Sequence, residues 1–229
     1  MINKKTKKQK LIFTIISVVV ASLVLTISIP FIVLGFKTAS LKKNYSYLKN
    51  DANYSQKIEI EGIELVKQHI SCGYATIEML STYYGHKVSE DALSEKNNGG
   101  ISTSSSKGFL KEVNRSIDGI KYVKNSYLKE DELLKRIYIS LSNHHPVAIE
   151  WAAKYEEEWT LHFSLVSGID IANDKVIVYN PYGYIESITV DEFLDRTSFK
   201  AFKNMPLFLN FGFAFGAFEK NTIFYPVVN

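Results

Sequence analysis

The chain of 229 residues has room for one ordinary domain with an appendage, and too little for two sizeable cores. Its composition, 46% hydrophobic and 22% charged, favours neither intrinsic disorder nor a membrane protein with many spans. The net charge of +3 comes from five lysines in the first ten residues, and the remainder holds 22 basic against 24 acidic residues. Because that remainder is slightly acidic, the chain lacks the basic footprint of a nucleic-acid-binding protein.

The N-terminal region combines a basic tail, residues 1–10, with an uncharged apolar run, residues 11–36. About 20 apolar residues suffice to cross a bilayer, so this run predicts one transmembrane anchor. A cleaved signal peptide is the alternative, with Thr38-Ala39-Ser40 as its cleavage site, although the apolar core of a signal peptide is ordinarily only about 7–15 residues long. More lysines precede the run than closely follow it, which predicts a cytoplasmic tail and a domain outside the cytoplasm, in a single-pass protein of the cell membrane.

The next segment, residues 37–57, is polar and predicts a stalk, with the folded domain extending from residue 58 to 229. Alternating apolar residues at 58–66 predict a strand. Apolar residues at spacings of three and four in 72–84 predict an amphipathic helix, with Ser71 as its N-cap and Gly85 at its end. Two more helices are predicted near residues 106–113 and 130–141.

From Pro146 onward the pattern changes to strands separated by turn residues. The predicted strands are residues 147–151, 161–169, 175–179 and 184–190, followed by a short helix near 191–196 and a final pair of strands. The apolar stretch 206–218 has only 13 residues, too few to span a membrane, and is predicted to form strand and turn in the core. Helices followed by antiparallel strands predict an α+β fold.

Cys72 is the only cysteine, which excludes an intramolecular disulfide and a zinc site with several thiolates. Its position at the first turn of the predicted helix favours the thiolate, because unpaired backbone amides and the helix dipole stabilise negative charge there. The same amides can hold an oxyanion. Cys72 also lies on the apolar stripe of that helix, so a packed core thiol is the structural alternative. No pattern in the sequence calls for a metal or another cofactor.

His162 interrupts an otherwise apolar predicted strand, and Asn180 ends the next one. Their even separation keeps both side chains on one face, and a loop centred on Ile171 would place them opposite one another. A tight turn at Asn173-Asp174 would offset the pair, so that a longer loop or a β-bulge is then required. A hydrogen-bonded core histidine and an ordinary turn asparagine are the structural alternatives.

The segment around Cys72 resembles the nucleophile segment of cysteine peptidase family 39, the type that processes bacteriocin leaders. The residues that carry the resemblance are Gln68, Ser71-Cys72-Gly73-Tyr74-Ala75, Met79-Leu80 and Tyr83-Tyr84-Gly85, continuing through Pro146-Val147, His162, Gly168-Ile169-Asp170 and Asn180-Pro181. The resemblance covers roughly residues 66–184 and implies a papain-like cysteine peptidase fold, with helices first and an antiparallel sheet second.

The resemblance also implies the site residues. Cys72 would be the nucleophile, His162 the general base and acid, Asn180 the residue that orients the imidazole, and Gln68 the oxyanion donor. Gln68 lies closer to the cysteine than the family's glutamine does, and many relatives carry aspartate where this chain has Asn180. The implied reaction is hydrolysis of a peptide or protein through a thioester. A thiol acyltransferase and a catalytically silent papain-like binding or immunity module remain alternatives, and the sequence indicates neither the specificity nor the oligomeric state.

Overall fold

In the computed structural model, which describes residues 2–227 apart from the side chains of residues 2–6 and 8, the chain forms two compact units, Met1–Ala39 and Ser40–Asn229. The first is a single helix, α1 (Ile2–Ala39). Within it, Gln9–Ala39 has a mean hydropathy of 2.7 and is long and apolar enough to cross a membrane. Most of the lysine side chains of the predicted basic tail lie outside the described residues.

The second unit has an α+β fold, as predicted, with helices in its first half and an antiparallel sheet in its second. Its helices are α2 (Cys72–Tyr83), α3 (Glu90–Lys96), α4 (Ser106–Ser116), α5 (Glu130–Ser142), α6 (Val190–Thr197) and α7 (Leu207–Ala214), preceded by a short 3-10 helix at Ser46–Asn50. Its strands are β1 (Ile58–Glu59), β2 (Tyr122–Asn125), β3 (Val147–Tyr155), β4 (Glu158–Asp170), β5 (Lys175–Asn180), β6 (Tyr184–Ile188) and β7 (Thr222–Pro226).

The sheet has the strand order β2-β7-β3-β4-β5-β6, and β1 pairs with the far end of β4. Every pairing is antiparallel. Successive residues of a strand point to opposite faces, so both faces of the central strands are covered. On one face Phe163 of β4 stacks on Phe109 of α4, and on the other Trp151 of β3 packs against Phe193 of α6. The β3–β4 hairpin is thus the centre of the core.

The helix that carries Cys72 forms as its capping residues predict. The Ser71 side chain accepts a hydrogen bond from the Tyr74 backbone N–H, and Gly85 has the positive φ of +79° that favours glycine after a helix. The predicted helices near 106–113 and 130–141 are α4 and α5, and the four predicted strands after Pro146 are β3 to β6. Helix α3 and strand β2 are additional elements.

The prediction of strand and turn for residues 206–218 was wrong, because most of this stretch is helix α7 and a single strand, β7, closes the chain. Leu209 and Phe213, one helical turn apart, are buried, and this spacing suits a helix with one inward face. Gly216, with φ of +75°, follows the end of the helix.

Two further segments differ from expectation at the start of the second unit. Residues 40–57, predicted as a stalk, lie within the compact unit, where Leu41 and Leu48 are buried. The strand expected over 58–66 is reduced to Ile58–Glu59, followed by one further backbone hydrogen bond from Ile60 N–H to Ser167 O at 2.8 Å. The packed part of the chain therefore begins well before residue 58.

Candidate active site

Cys72 is the first residue of α2 and follows the N-cap Ser71 directly. The helix start packs closely against the loop before α4, where a Cβ at Gly73 would collide with the Thr103 side chain. Glycine after the cysteine is therefore required by packing. This contact fixes the position of the first helical turn, on which the geometry of the thiol depends.

Glu90, the first residue of α3, holds the segment that leads into Cys72. Its fully buried carboxylate accepts hydrogen bonds from the backbone N–H groups of His69, Ile70 and Ser71, at 2.9–3.0 Å. A carboxylate that accepts several backbone N–H bonds is strongly held, because such bonds to an ionised group are about twice as strong as neutral ones. The residues between Gln68 and Cys72 are therefore fixed by one acidic side chain. Nothing in the sequence pattern marks Glu90 for this position.

The Cys72 thiol lies beside the edge of β4. The pairing of β4 with β5 ends where Leu165 faces Tyr179, and beyond that point the backbone N–H of Phe163 reaches the Cys72 sulfur. Burial raises the pKa of the thiol, whereas the backbone N–H groups of Phe163, Gly73 and Cys72 lower it. Burial is the largest of these effects and raises the pKa of the thiol to about 11. The net direction is upward, contrary to the effect expected from the helix N-terminus alone.

A bulge in β4 brings His162 and Asn180 to the same face of the sheet. The register of β4 against β5 shifts by one residue between Val166 and Gly168. Without that shift the two side chains would lie on opposite faces, because a one-residue slip reverses the face of every side chain. The chain therefore joins the two strands by the four-residue loop 171–174 and a bulge, rather than by a tight turn at Asn173-Asp174, and Asn180 lies diagonally across from His162.

The His162 imidazole is held by a hydrogen bond of 2.9 Å between its Nε2 and Asn180 Oδ1. Tyr182 stacks on the ring, with a centroid separation of 4.1 Å. Because Oδ1 is an acceptor, Nε2 carries the proton in the neutral ring, and Nδ1 is left as the free acceptor. Desolvation lowers the pKa of His162 to about 3 although its bond to Asn180 opposes the shift, so the ring is neutral near pH 7.

The orientation of the Asn180 amide is fixed by a buried ion pair behind it. Asn180 Nδ2 donates to Glu186 Oε1 at 2.6 Å, and the Tyr182 backbone N–H donates to Oδ1 at 3.0 Å. The Glu186 carboxylate is held by the Arg196 guanidinium, at 2.5 and 3.1 Å. Arg196 itself stacks on Trp151, at 3.6 Å from the ring centroid. Since Glu186 can only accept from the amide nitrogen, the amide oxygen has to face His162.

Gln68 lies beside the same residues. Its backbone N–H donates to Pro181 O at 2.7 Å, and its Oε1 is buried with no hydrogen-bond partner among the residues that the structure describes. It helps to line an open cleft of about 310 Å³, together with Lys67, Tyr155, Thr160, Pro181 and Tyr182. The cleft therefore borders the ring that stacks on His162.

The structure thus places His162, Asn180 and Gln68 close together. The Cys72 sulfur contacts the backbone N–H of Phe163, the residue that follows His162 on β4. Glu90, Glu186 and Arg196 were missed by sequence reasoning, because each acts through strand or loop pairing that spacing does not reveal. Among the described residues, no group of three or more His, Cys, Asp and Glu could hold a metal ion.

A structure described as a double glycine motif protease from an AMS/PCAT transporter, in complex with the leader peptide, is similar over 76% of this chain and 100% of that chain, at 14% identity and a TM-score of 0.48. No curated protein matches the chain significantly. The model of the Peptidase_C39 like family matches residues 40–207. That match spans well over half of the sequence, and the chain therefore belongs to the Peptidase_C39 like family.

Proposed function

We propose that this protein is a membrane-anchored cysteine peptidase that hydrolyses peptide bonds with Cys72, His162 and Asn180. The observation that carries the proposal is the His162–Asn180 hydrogen bond, which leaves His162 Nδ1 unprotonated. The next residue on the same strand, Phe163, contacts the Cys72 sulfur through its backbone N–H. A thiol, an imidazole acceptor and an orienting amide in this order are what acyl transfer through a thioester requires.

In the proposed reaction, His162 Nδ1 takes the thiol proton as the Cys72 sulfur attacks the scissile carbonyl carbon. A C–S bond forms, and the oxyanion accepts hydrogen bonds from the Cys72 backbone N–H and, in this proposal, from Gln68 Nε2. The imidazolium returns its proton to the leaving amine, the C–N bond breaks, and a thioester remains. His162 then takes a proton from water as the water oxygen attacks the thioester; the C–S bond breaks, the carboxylic acid leaves, and the imidazolium returns its proton to the Cys72 sulfur.

The burial of His162 determines the role of Asn180 in this cycle. Desolvation disfavours the imidazolium, so the charged ring exists only between the two proton transfers. Asn180 Oδ1 holds the Nε2 proton throughout and keeps Nδ1 directed away from β5. The peptide substrate would lie in the cleft formed by Lys67, Gln68, Tyr155 and Tyr182, beside the stacked His162 ring.

Helix α1 is proposed to be the anchor, since it is long and apolar enough to cross a membrane. The excess of lysines before the apolar run favours a cytoplasmic N-terminus and an extracytoplasmic peptidase domain. The unit Ser40–Asn229, rather than residues 58–229, is then the domain that the anchor holds at the membrane surface.

The test is peptide hydrolysis by the full-length protein in detergent, with a peptide library as substrate and mass spectrometry as the readout. Cys72→Ala and His162→Ala should remove cleavage, because each eliminates a covalent or proton-transfer step. His145→Ala is the matched control, since this second histidine bonds to Tyr84 on another part of the domain. Equal cleavage by the wild type and Cys72→Ala would show that the products come from another enzyme.

One observation favours the alternative of a catalytically silent binding module. Burial raises the pKa of Cys72 and lowers that of His162, so the resting pair is neutral and the thiol is not pre-ionised. A silent module predicts that the wild type binds peptides but cleaves none of the library, with the Cys72→Ala variant binding equally well. Cleavage that depends on Cys72 excludes this alternative.

A further inference from the structure

Helix α7 carries large apolar side chains on an outward face. Leu207 and Phe208 are each 70% exposed and Phe215, directly after the helix, is 57% exposed, while Leu209 and Phe213 point into the domain. Exposed apolar residues gathered on one short helix mark an interaction surface, whereas scattered ones need no explanation. The family match ends at residue 207, the first residue of this helix, so the rest of α7 lies beyond the matched region.

Contacts within the second unit place α7 near the residues with which that unit begins. The Leu41 carbonyl accepts from the Glu130 backbone N–H at 2.9 Å, and Lys200 lies 3.5 Å from the Glu130 carboxylate. Phe199, the neighbour of Lys200, packs edge-on against Phe213 of α7, with a centroid separation of 4.7 Å. The outward face of α7 and the start of the unit therefore belong to the same end of the domain.

Lysines slightly outnumber acidic residues at this end. Lys42, Lys43 and Lys203 are exposed, and α7 contains no acidic residue. Glu130 and Asp195 both pair with Lys200, whereas Asp191 accepts a hydrogen bond from the Tyr45 hydroxyl. Apolar side chains surrounded by lysines suit an anionic lipid surface, whereas a second copy of the same face would bring like charges together.

We propose that α7 docks on the membrane that holds the anchor, with Leu207, Phe208 and Phe215 entering the interface between head groups and acyl chains and the lysines facing lipid phosphates. This inference rests on the proposed function, because only a domain anchored at residue 39 is held close to a bilayer. Docking gives the peptidase domain a fixed orientation on the membrane instead of free rotation about its tether.

The experiment uses the full-length chain in vesicles of phosphatidylcholine and phosphatidylglycerol. Cys72→Ala removes the natural thiol, and a polarity-sensitive fluorophore is attached to Phe208→Cys. The control is Asn143→Cys, which is exposed and follows α5, a helix of 13 residues whose first residue, Glu130, contacts Leu41. At 1.5 Å per residue, it lies about 19 Å along the helix from the proposed docking end.

Vesicle flotation first reports whether the chain is anchored, and lipids with brominated acyl chains then report contact with the bilayer. The label at residue 208 should lose emission in brominated vesicles and shift to the blue, while the label at residue 143 does neither. Flotation with unquenched emission at both positions would overturn the docking inference and leave the anchor standing. Failure to float would overturn the anchor and the docking together, and equal quenching at both positions would overturn docking through α7.

Discussion

At the scale of single residues, Glu186 explains why residue 180 is an asparagine rather than an aspartate. The Asn180 amide accepts a hydrogen bond from His162 Nε2 on one side and donates one to the Glu186 carboxylate on the other. An aspartate at position 180 of this chain would place a second carboxylate against Glu186, and the two would repel each other. The amide in this chain is thus explained by its neighbour on β6.

Asn180→Asp should therefore impair catalysis even though aspartate orients histidine in related enzymes. Its second oxygen would face Glu186 Oε1, and repulsion between the two carboxylates disfavours this orientation by about 1.4 kcal/mol or more. Such a free-energy cost corresponds to a loss of roughly tenfold in rate. The measurement is kcat/KM for peptide hydrolysis. Adding Glu186→Gln to the same chain should restore activity, because the new amide can donate to the carboxylate introduced at position 180. Full activity of Asn180→Asp alone would contradict this account of the buried network.

The burial of Glu150 leads to a separate prediction about how stability depends on pH. This fully buried carboxyl on β3 accepts from Ser106 Oγ at 2.5 Å, and desolvation raises its pKa to about 8. The folded chain then retains a proton that the unfolded chain releases near pH 4.5, so stability falls as pH rises towards 8. At pH 6.5 His162 is still half protonated in the unfolded chain and neutral in the folded one, so it contributes a smaller rise in stability that opposes the effect of Glu150.

Between pH 6.5 and 8 the wild type should lose about 1.5 kcal/mol of unfolding free energy through Glu150. Glu150→Gln removes this titration and should flatten that part of the profile. Denaturant unfolding in detergent, followed by tryptophan fluorescence, measures it. The control is Glu157→Gln, whose side chain is 94% exposed. Identical slopes in wild type and Glu150→Gln would mean that the carboxyl is already ionised in the folded protein.

At the scale of elements, the start of α2 depends on the start of α3. Glu90 accepts three backbone N–H bonds from the segment before Cys72, so its carboxylate positions the proposed nucleophile from outside the cleft. Glu90→Gln replaces an ionised acceptor by a neutral one and should cost about 1–3 kcal/mol of stability. It should also lower kcat more than it raises KM, because the thiol and the adjoining amides are displaced while the cleft remains.

The matched variant is Asp91→Asn, at the next residue, whose exposed carboxylate contacts the ring of His69 rather than the backbone before Cys72. It should leave both kcat and stability near the wild-type values. A purely structural role for Glu90 would instead lower the amount of active protein and leave the kcat of the folded fraction unchanged, which active-site titration of Cys72 distinguishes.

Local signals predicted some of these elements well. Ser71 and Gly85 determine the ends of α2 through their own hydrogen bonding and φ angle, and such signals are readable from the sequence. Helix α7 was missed because its apolar residues occur nearly continuously, so that no periodicity separates helix from strand. Its inward face is decided by contacts such as that between Phe213 and Phe199, which belong to tertiary structure.

In the candidate site, too, local sequence signals predicted some residues, and contacts made by the fold determine the others. Cys72, His162 and Asn180 were found because their residue types and order match a known pattern. The bulge between Val166 and Gly168 was anticipated only as a condition, since its position depends on how β4 pairs with β5. Glu186 and Arg196 were not found, because a charged pair in a strand and a helix looks like an ordinary solvated surface until the fold buries it.

At the scale of the whole molecule, the proposed anchor predicts a topology that two single-cysteine variants can test. In a Cys72→Ala background, Asn143→Cys should react with a membrane-impermeant maleimide on intact cells, because the proposed topology places the peptidase domain outside. Lys7→Cys should react only after the cells are permeabilised. The reverse pattern would place the peptidase domain in the cytoplasm, and reaction at both positions would indicate that residue 7 is also exposed outside.

The most direct test of the central claim is to trap the thioester on Cys72. Because the chain has a single cysteine, intact-mass spectrometry of the full-length protein, quenched in acid during turnover of a cleaved peptide, should show one acyl adduct that hydroxylamine removes. His162→Ala should not accumulate the adduct. Cleavage of the peptide with no adduct at Cys72, or an adduct that forms equally in His162→Ala, would contradict a cysteine peptidase built on Cys72 and His162.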